Sequence, residues 1–516
     1  MKISWASQIE TWNERIKRGE GHQVGRELRR IPRDEIPLEQ LAKIANISWR
    51  ISQPSIGLRL LFPRLRAQGN LKVVNALDAF TEYAGCLLEV GALSEARQVL
   101  RDLRGRTPRS KFYSALLMFK EWDYESAVPL LEDYLKEIPA DYHQLVIRVN
   151  LASTYVNIQD WERAIPFLKD LQAELDTKGH WLLLGNSFEI ESQIYFEKRE
   201  HDHALECLKK SEKHLGQARN MGWMYCKKWQ FINRLYQSRV AARDASRTTS
   251  IGGTPQGLHT EWSALRTDAL SMGSWETLRE LDLHWAICTE NQELLNHVYF
   301  GSPAKSYREK IHALIKREAP SLEVLPTFNW LRLRQQGIET RLTDFKDLLM
   351  EFKSINAKNN QSVLLKRLLY ILCSDFYAPF RIGQLFSILF EGEFYDLETS
   401  PDRVFQLIKR LRAWLEERDI GCEIVWGRRG YAIQFSKNRG IILERQVVEQ
   451  GLPNKNNIHF IFLQDRFGEE PFSSSAVGDQ MNCSTRTANR VLSELITEGR
   501  VISMGRGRFT RFKLVS

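Results

Sequence analysis

The chain has 516 residues, with 73 Lys and Arg against 64 Asp and Glu and a formal net charge of +9. That length exceeds one ordinary core and predicts about three or four domains, while 43% hydrophobic and 27% charged residues exclude a disordered chain. The positive excess favours an anionic partner without identifying one.

The first 70 residues read as a helical amino-terminal cap, with amphipathic stretches in LEQLAKIANISWRIS and SIGLRLLFPRLRAQ. The opening MKISWASQIETWNERIKRGE has no continuous apolar core, and no later run approaches the roughly 20 apolar residues of a membrane span. The seven cysteines (Cys86, Cys207, Cys226, Cys288, Cys373, Cys422 and Cys483) show no CxxC or Cys/His spacing for a metal. Free thiols, a cytoplasmic location, no membrane partner and no metal or other cofactor are therefore expected.

Residues 71–243 alternate amphipathic stretches with short polar turns, the pattern of stacked helical hairpins. An alanine followed four residues later by leucine recurs: Ala96/Leu100, Ala127/Leu131, Ala164/Leu168 and Ala204/Leu208. The alanine lets paired helices approach closely, and the leucine fills the groove between neighbouring hairpins. Trp122 and Trp161 stand in acidic turns, and Pro139 follows the second pair. These positions resemble the tetratricopeptide repeat, which implies an α-solenoid receiving a peptide or protein partner. An irregular α-solenoid of another kind fits the same pattern. Trp122, Trp161, Trp223 and Trp229 read as core wedges rather than ligand stackers, and His201 and His203, at i, i+2, do not aim at one metal.

Residues 244–258 (DASRTTSIGGTPQGL) read as a hinge. A helical connector is expected over 259–355, with Ser302 and Pro303 starting one of its helices.

Two helix-then-hairpin units follow. In the first, 356–437, the helix PDRVFQLIKRLRAWLEERD turns Val404, Leu407, Ile408, Leu411, Trp414 and Leu415 inward, leaving Arg403, Gln406, Lys409, Arg410 and Arg412 outside. The hairpin IVWGRRGYAIQF carries Arg428 and Arg429. Ile408, Leu411, Arg412, Leu415, Gly430 and Tyr431 resemble the effector domain of OmpR-type response regulators. The resemblance implies a winged helix-turn-helix with Lys409, Arg410 and Arg412 facing DNA. Trp426-Gly427 departs from that family's apolar-Arg pair, so Arg428 and Arg429 would have to substitute. No receiver domain precedes it. Some antibiotic-regulatory activators resemble this pairing of repeats and winged helix, in the opposite order.

A linker is expected near Ser436 to Asn457. The second unit, 455–516, has a tight turn at Met481-Asn482-Cys483 and a helix capped by Ser484 that displays Thr485, Arg486, Thr487, Asn489 and Arg490. Its hairpin bears Arg506, Arg508 and Arg511. The run Leu495 to Ile502 resembles the turn into the wing of MarR- and GntR-like proteins. From Arg403 to Arg439 nine basic residues face four acidic ones, and from Met481 to Ser516 seven face two, so each segment carries +5.

The expected fold class is mainly α, a TPR-like α-solenoid followed by two α+β winged-helix domains. Walker, GxSxG and HExxH motifs are absent from the sequence, so catalysis is not expected. The reading is a bacterial transcriptional regulator that binds double-stranded DNA. Two reading heads span adjacent half-sites on one chain, so a homodimer is compatible but not required. The alternative is a non-enzymatic scaffold whose winged helices dock proteins.

Overall fold

The computed structural model describes all residues except 1–3, 33, 35, 68–75, 217–219, 247–255, 332–339, 352–360, 428–429, 451–458, 461–462, 465, 469, 482–484, 498, 506–509 and 516. The described residues are mainly helical with a few small sheets. They fall into two compact units: residues 1–324 with 376–401 and 428–430, and residues 325–375 with 402–427 and 431–516. Most of the hinge expected at 244–258 lies outside the described residues.

The first unit begins with α1 (Trp5–Lys17), α2 (Gly21–Leu28), α3 (Leu38–Arg50) and α4 (Pro54–Phe62), which runs on into a π turn at Pro63–Ala67. Successive pairs follow: α5 (Leu77–Val90) with α6 (Leu93–Leu103), α7 (Pro108–Lys120) with α8 (Tyr124–Glu137), α9 (Tyr142–Asn157) with α10 (Trp161–Thr177), and α11 (Trp181–Glu197) with α12 (His201–Leu215). Each Ala/Leu pair falls on the second helix of its hairpin. Ala96, Ala127, Ala164 and Ala204 are all fully buried, and none of the four leucines is more than 5% exposed. A side chain larger than a methyl would push the partner helix away. Asp123, Asp141 and Asp160 cap α8, α9 and α10 by accepting from backbone N–H groups in the first turn. Pro139 lies just beyond α8.

The helical run continues through α13 (Met221–Ser246), α14 (Gln256–Met272), α15 (Trp275–Thr289), α16 (Gln292–Phe300) and α17 (Lys305–Glu318). Ser302 does not start α17, as the sequence led us to expect; its hydroxyl donates to the carbonyl of Val298 at 2.6 Å, on the preceding helix.

The second unit corrects the reading of 259–355 as wholly helical and of 436–457 as a linker. β1 (Thr327–Leu331), β2 (Arg341–Asp344) and β5 (Arg439–Glu444) form a three-stranded sheet in the order β1-β5-β2. β5 is antiparallel to β1, with Trp330 opposite Ile441, and parallel to β2, with Arg341 opposite Arg439. Strands of four to six residues carry too little alternation to stand out against Gly- and Asn-rich flanks. Gly440 is needed in β5, because a Cβ there would sit 2.4 Å from the carbonyl oxygen of Trp330.

α18 (Phe345–Glu351) and α19 (Gln361–Leu372) follow β2; α20 (Ile382–Leu389) belongs to the first unit. α21 (Ser400–Glu417) leads to the hairpin of β3 (Cys422–Gly427) and β4 (Gly430–Phe435), and α22 (Arg445–Gln450) follows β5. The remaining elements are α23 (Ser474–Met481), α24 (Thr485–Thr497), β6 (Val501–Met504) and β7 (Arg511–Leu514).

Candidate nucleic-acid interface and a cavity

α21 is started by an Asx turn. The Asp396 carboxylate accepts from the N–H groups of Glu398 and Thr399 at 2.7 and 2.9 Å, and the Ser400 hydroxyl accepts from Asp396 N at 2.9 Å. Its inward residues Val404, Leu407, Ile408, Leu411, Trp414 and Leu415 are all buried. Arg403, Gln406, Lys409 and Arg410 are exposed, as expected of one polar, cationic face. Phe405, not singled out from the sequence, is 39% exposed on the same helix.

Arg412 has another task. Its Nε and Nη2 donate to the carbonyl of Ile424 at 3.0 and 2.6 Å, tying α21 to β3. Two of its five N–H donors therefore brace β3 against α21, while the residue is exposed as Lys409 and Arg410 are. On the hairpin, Trp426 is 55% exposed and its ring meets Tyr431 edge-on at 4.8 Å. Arg428 and Arg429 lie outside the described residues.

The second unit of this kind is built on one apolar core of Leu463, Phe472, Val477, Met481, Ala488, Val491, Leu492, Leu495, Val501, Phe512 and Leu514. The Ser473 hydroxyl caps α23 by accepting from Ala476 N at 3.1 Å. β6 and β7 pair antiparallel with Val501 opposite Leu514, and Phe472 adds a bridge to Phe512 through two backbone bonds of 2.9 and 2.8 Å. Thr485, Arg486, Asn489 and Arg490 are exposed along α24, and Arg511 is exposed on β7. The side chain of Thr487, the turn at Asn482-Cys483 with the expected cap Ser484, and Arg506 and Arg508 lie outside the described residues.

α20 is held by the repeats. Arg381 Nη1 donates to Glu89 O at 3.0 Å, Ser94 N to Ser387 Oγ at 2.7 Å, and Tyr395 N to Glu95 Oε2 at 2.6 Å. Gly383 allows the close approach, since a Cβ there would stand 2.2 Å from the Val90 carbonyl oxygen. Burial raises the Glu95 carboxyl above its ordinary value against the pull of its hydrogen bonds to Tyr395 and Tyr83 and of Arg66.

The helical unit also contains a cavity of about 260 Å³ whose walls come from α8 and the turn before it, α9, α11, α13, α15 and α17. Trp229 is buried at 6% exposure, in keeping with a core wedge, whereas Trp122, Trp161 and Trp223 are half-buried. Trp122 and Trp229 both line the cavity. Nearby, burial works against the charge of Glu280, but Lys310 at 3.1 Å and His284 hold its carboxyl well below the usual range. His201 Nδ1 donates to Asn233 Oδ1, 3.0 Å away, and His203 sits on Glu200 at 3.1 Å. Among the described residues no group of His, Cys, Asp and Glu is arranged to hold a metal ion, and no helix is long and apolar enough to cross a membrane.

No protein-family model matches the chain, and neither a curated protein nor a solved structure was found to match it.

Proposed function

We propose that the protein is a sequence-specific, double-stranded-DNA-binding transcriptional regulator of the bacterial cytoplasm. In this reading α19 to β4 and α23 to β7 are two winged helix-turn-helix heads, and the helical hairpins are a TPR-like sensor for a peptide or protein. The observation that carries it is the repeated pairing of an exposed cationic helix with a two-stranded hairpin. Arg403, Lys409 and Arg410 lie on α21, and Arg486, Asn489 and Arg490 on α24. A helix of that kind fits the major groove while the hairpin lies along the phosphates. The seat of α20 on the α5–α6 turn supplies a physical route for regulation, because a ligand that shifts the hairpins shifts α20 with them.

The test is fluorescence anisotropy of the full chain on duplex DNA across roughly 50 to 200 mM salt. About six phosphate contacts give a log-log slope near −5. Absent or salt-insensitive binding would sink the reading and leave the protein-docking scaffold in its place.

A further inference from the structure

We propose that the amino-terminal part of the helical unit carries a second nucleic-acid surface, where exposed arginines at the end of α2 hold the sugar–phosphate backbone of duplex DNA without reading its sequence. This rests on the proposal that the protein binds DNA, but it concerns residues that lie in neither helix-and-hairpin unit.

The charge of the chain points there. Residues 1–120 hold 21 Lys and Arg against 12 Asp and Glu, a surplus of +9 that equals the whole formal charge, and the remaining residues hold equal numbers of each sign. Among the described side chains of this stretch the lysines are already paired: Lys43 with Glu39 at 3.2 Å, Lys111 with Glu137 at 2.7 Å and Lys120 with Glu89 at 3.8 Å. The surplus is arginine, whose planar fork matches two phosphate oxygens at once.

The fold brings four of these arginines together. α2 ends at Leu28, and Arg26, Arg29 and Arg30 stand around that end at the i, i+3 and i+4 spacing that shares one helix face. Arg59 reaches them from α4, its Nη1 and Nη2 donating to the carbonyls of Arg29 and Leu28 at 2.7 and 3.1 Å. All four are exposed, and among the described residues none of them forms an ion pair. Glu27, the acid in the same turn, accepts instead from Trp12 Nε1 at 2.9 Å and from Arg15 Nη1 at 2.8 Å. Like charges at this spacing repel, and Arg59 already meets the carbonyls at the helix end, so stability does not account for the other three.

The surroundings select the partner. Among the described residues, the first large apolar side chain left exposed is Tyr142, beyond this stretch. A protein partner needs aromatic or aliphatic anchors at the centre of its interface, and a bilayer surface needs an apolar face to bury. A cationic surface with neither fits a phosphate backbone, which binds through charge and counterion release.

The test is fluorescence anisotropy of full-chain variants on a random-sequence duplex across roughly 50 to 200 mM salt. Arg26→Gln/Arg29→Gln/Arg30→Gln is expected to weaken binding about tenfold or more at the low end and to make the log-log slope shallower by about 2–3. Arg26→Lys/Arg29→Lys/Arg30→Lys, which keeps the charge, is expected to retain most of the slope. Lys136→Gln/Lys213→Gln/Lys305→Gln removes the same charge from exposed positions on α8, α12 and α17 and is expected to leave the slope nearly unchanged. Circular dichroism melting of each variant reports folding. An unchanged slope in the folded arginine-to-glutamine variant overturns the proposal, as do an equal loss in the two glutamine variants and an absence of duplex binding by the wild-type chain. Loss confined to Arg403→Gln/Lys409→Gln/Arg410→Gln overturns this surface while leaving the DNA-binding reading in place, and loss confined to the α2 variant does the reverse for α21. Unchanged DNA binding with lost adhesion to phosphatidylserine vesicles would overturn the proposal in favour of a membrane.

Discussion

The two helix-and-hairpin units near the carboxy terminus look alike in sequence but gain their support in different ways. The second closes a core of its own, in which Leu463 and Phe472 join α23, α24 and both strands of the hairpin. The first does not keep its middle helix: α20 belongs with the repeats, anchored to the α5–α6 turn by Arg381, Ser387 and Tyr395. A segment with a core of its own draws its stability from contacts within itself. The first segment is divided between the two compact units, with α20 in one and α19 and most of α21 in the other, whereas the second lies within one of them.

The largest effect that would break this comparison is expected from Leu492→Ala. A fully enclosed leucine truncated in a small core costs about 2–5 kcal/mol. Hydrogen exchange should show lost protection confined to residues 474–514, with the helical hairpins unchanged; a loss that spreads into the hairpins would show that the second unit is not autonomous. Gly383→Ala should cost about 1–3 kcal/mol, because the new methyl collides with the Val90 backbone rather than with a flexible side chain. Exchange should accelerate in α20 and along α5 and α6 while α24 stays protected. Equal acceleration in α24, or none in α20, would remove the asymmetry.

The finest distinction lies within α21. Arg410→Ala is expected to cost about 1–3 kcal/mol in DNA affinity if it pairs with a base, with relaxed preference at that position. Arg412→Ala should instead release β3 from α21, a loss of about 1 kcal/mol in stability. Lysine at position 412 should not rescue it, since one ammonium cannot reproduce the forked contact to Ile424. Anisotropy on matched and mismatched duplexes, beside thermal melting, separates the two. Equal loss of specificity from both substitutions would place Arg412 on the DNA side as well.

Much of the helical region was legible in the chain because its signals are local. An alanine four residues before a leucine marks one face of one helix. The inward face of α21, from Val404 to Leu415, was readable for the same reason. Short strands escaped notice. β5 in particular sits among Lys, Asn and Gly, and its identity comes from being paired on both edges by β1 and β2. The cavity escaped notice too, since Trp229 and Tyr307 lie 78 positions apart and each alone reads as core.

The sequence by itself determined which face of several helices is apolar and that positive charge gathers on two carboxy-terminal segments, because periodicity and charge are properties of neighbours along the chain. Only the tertiary structure decided that α20 rests on the repeats, that β5 completes a sheet begun at residue 327, and that Arg412 braces a strand. Ser94 meets Ser387 across 293 positions, and Glu95 meets Tyr395 across 300. Such partners are chosen by packing in space, where a missing Cβ at Gly383 and the position of the Ile424 carbonyl beside Arg412 count for more than anything in the adjacent sequence.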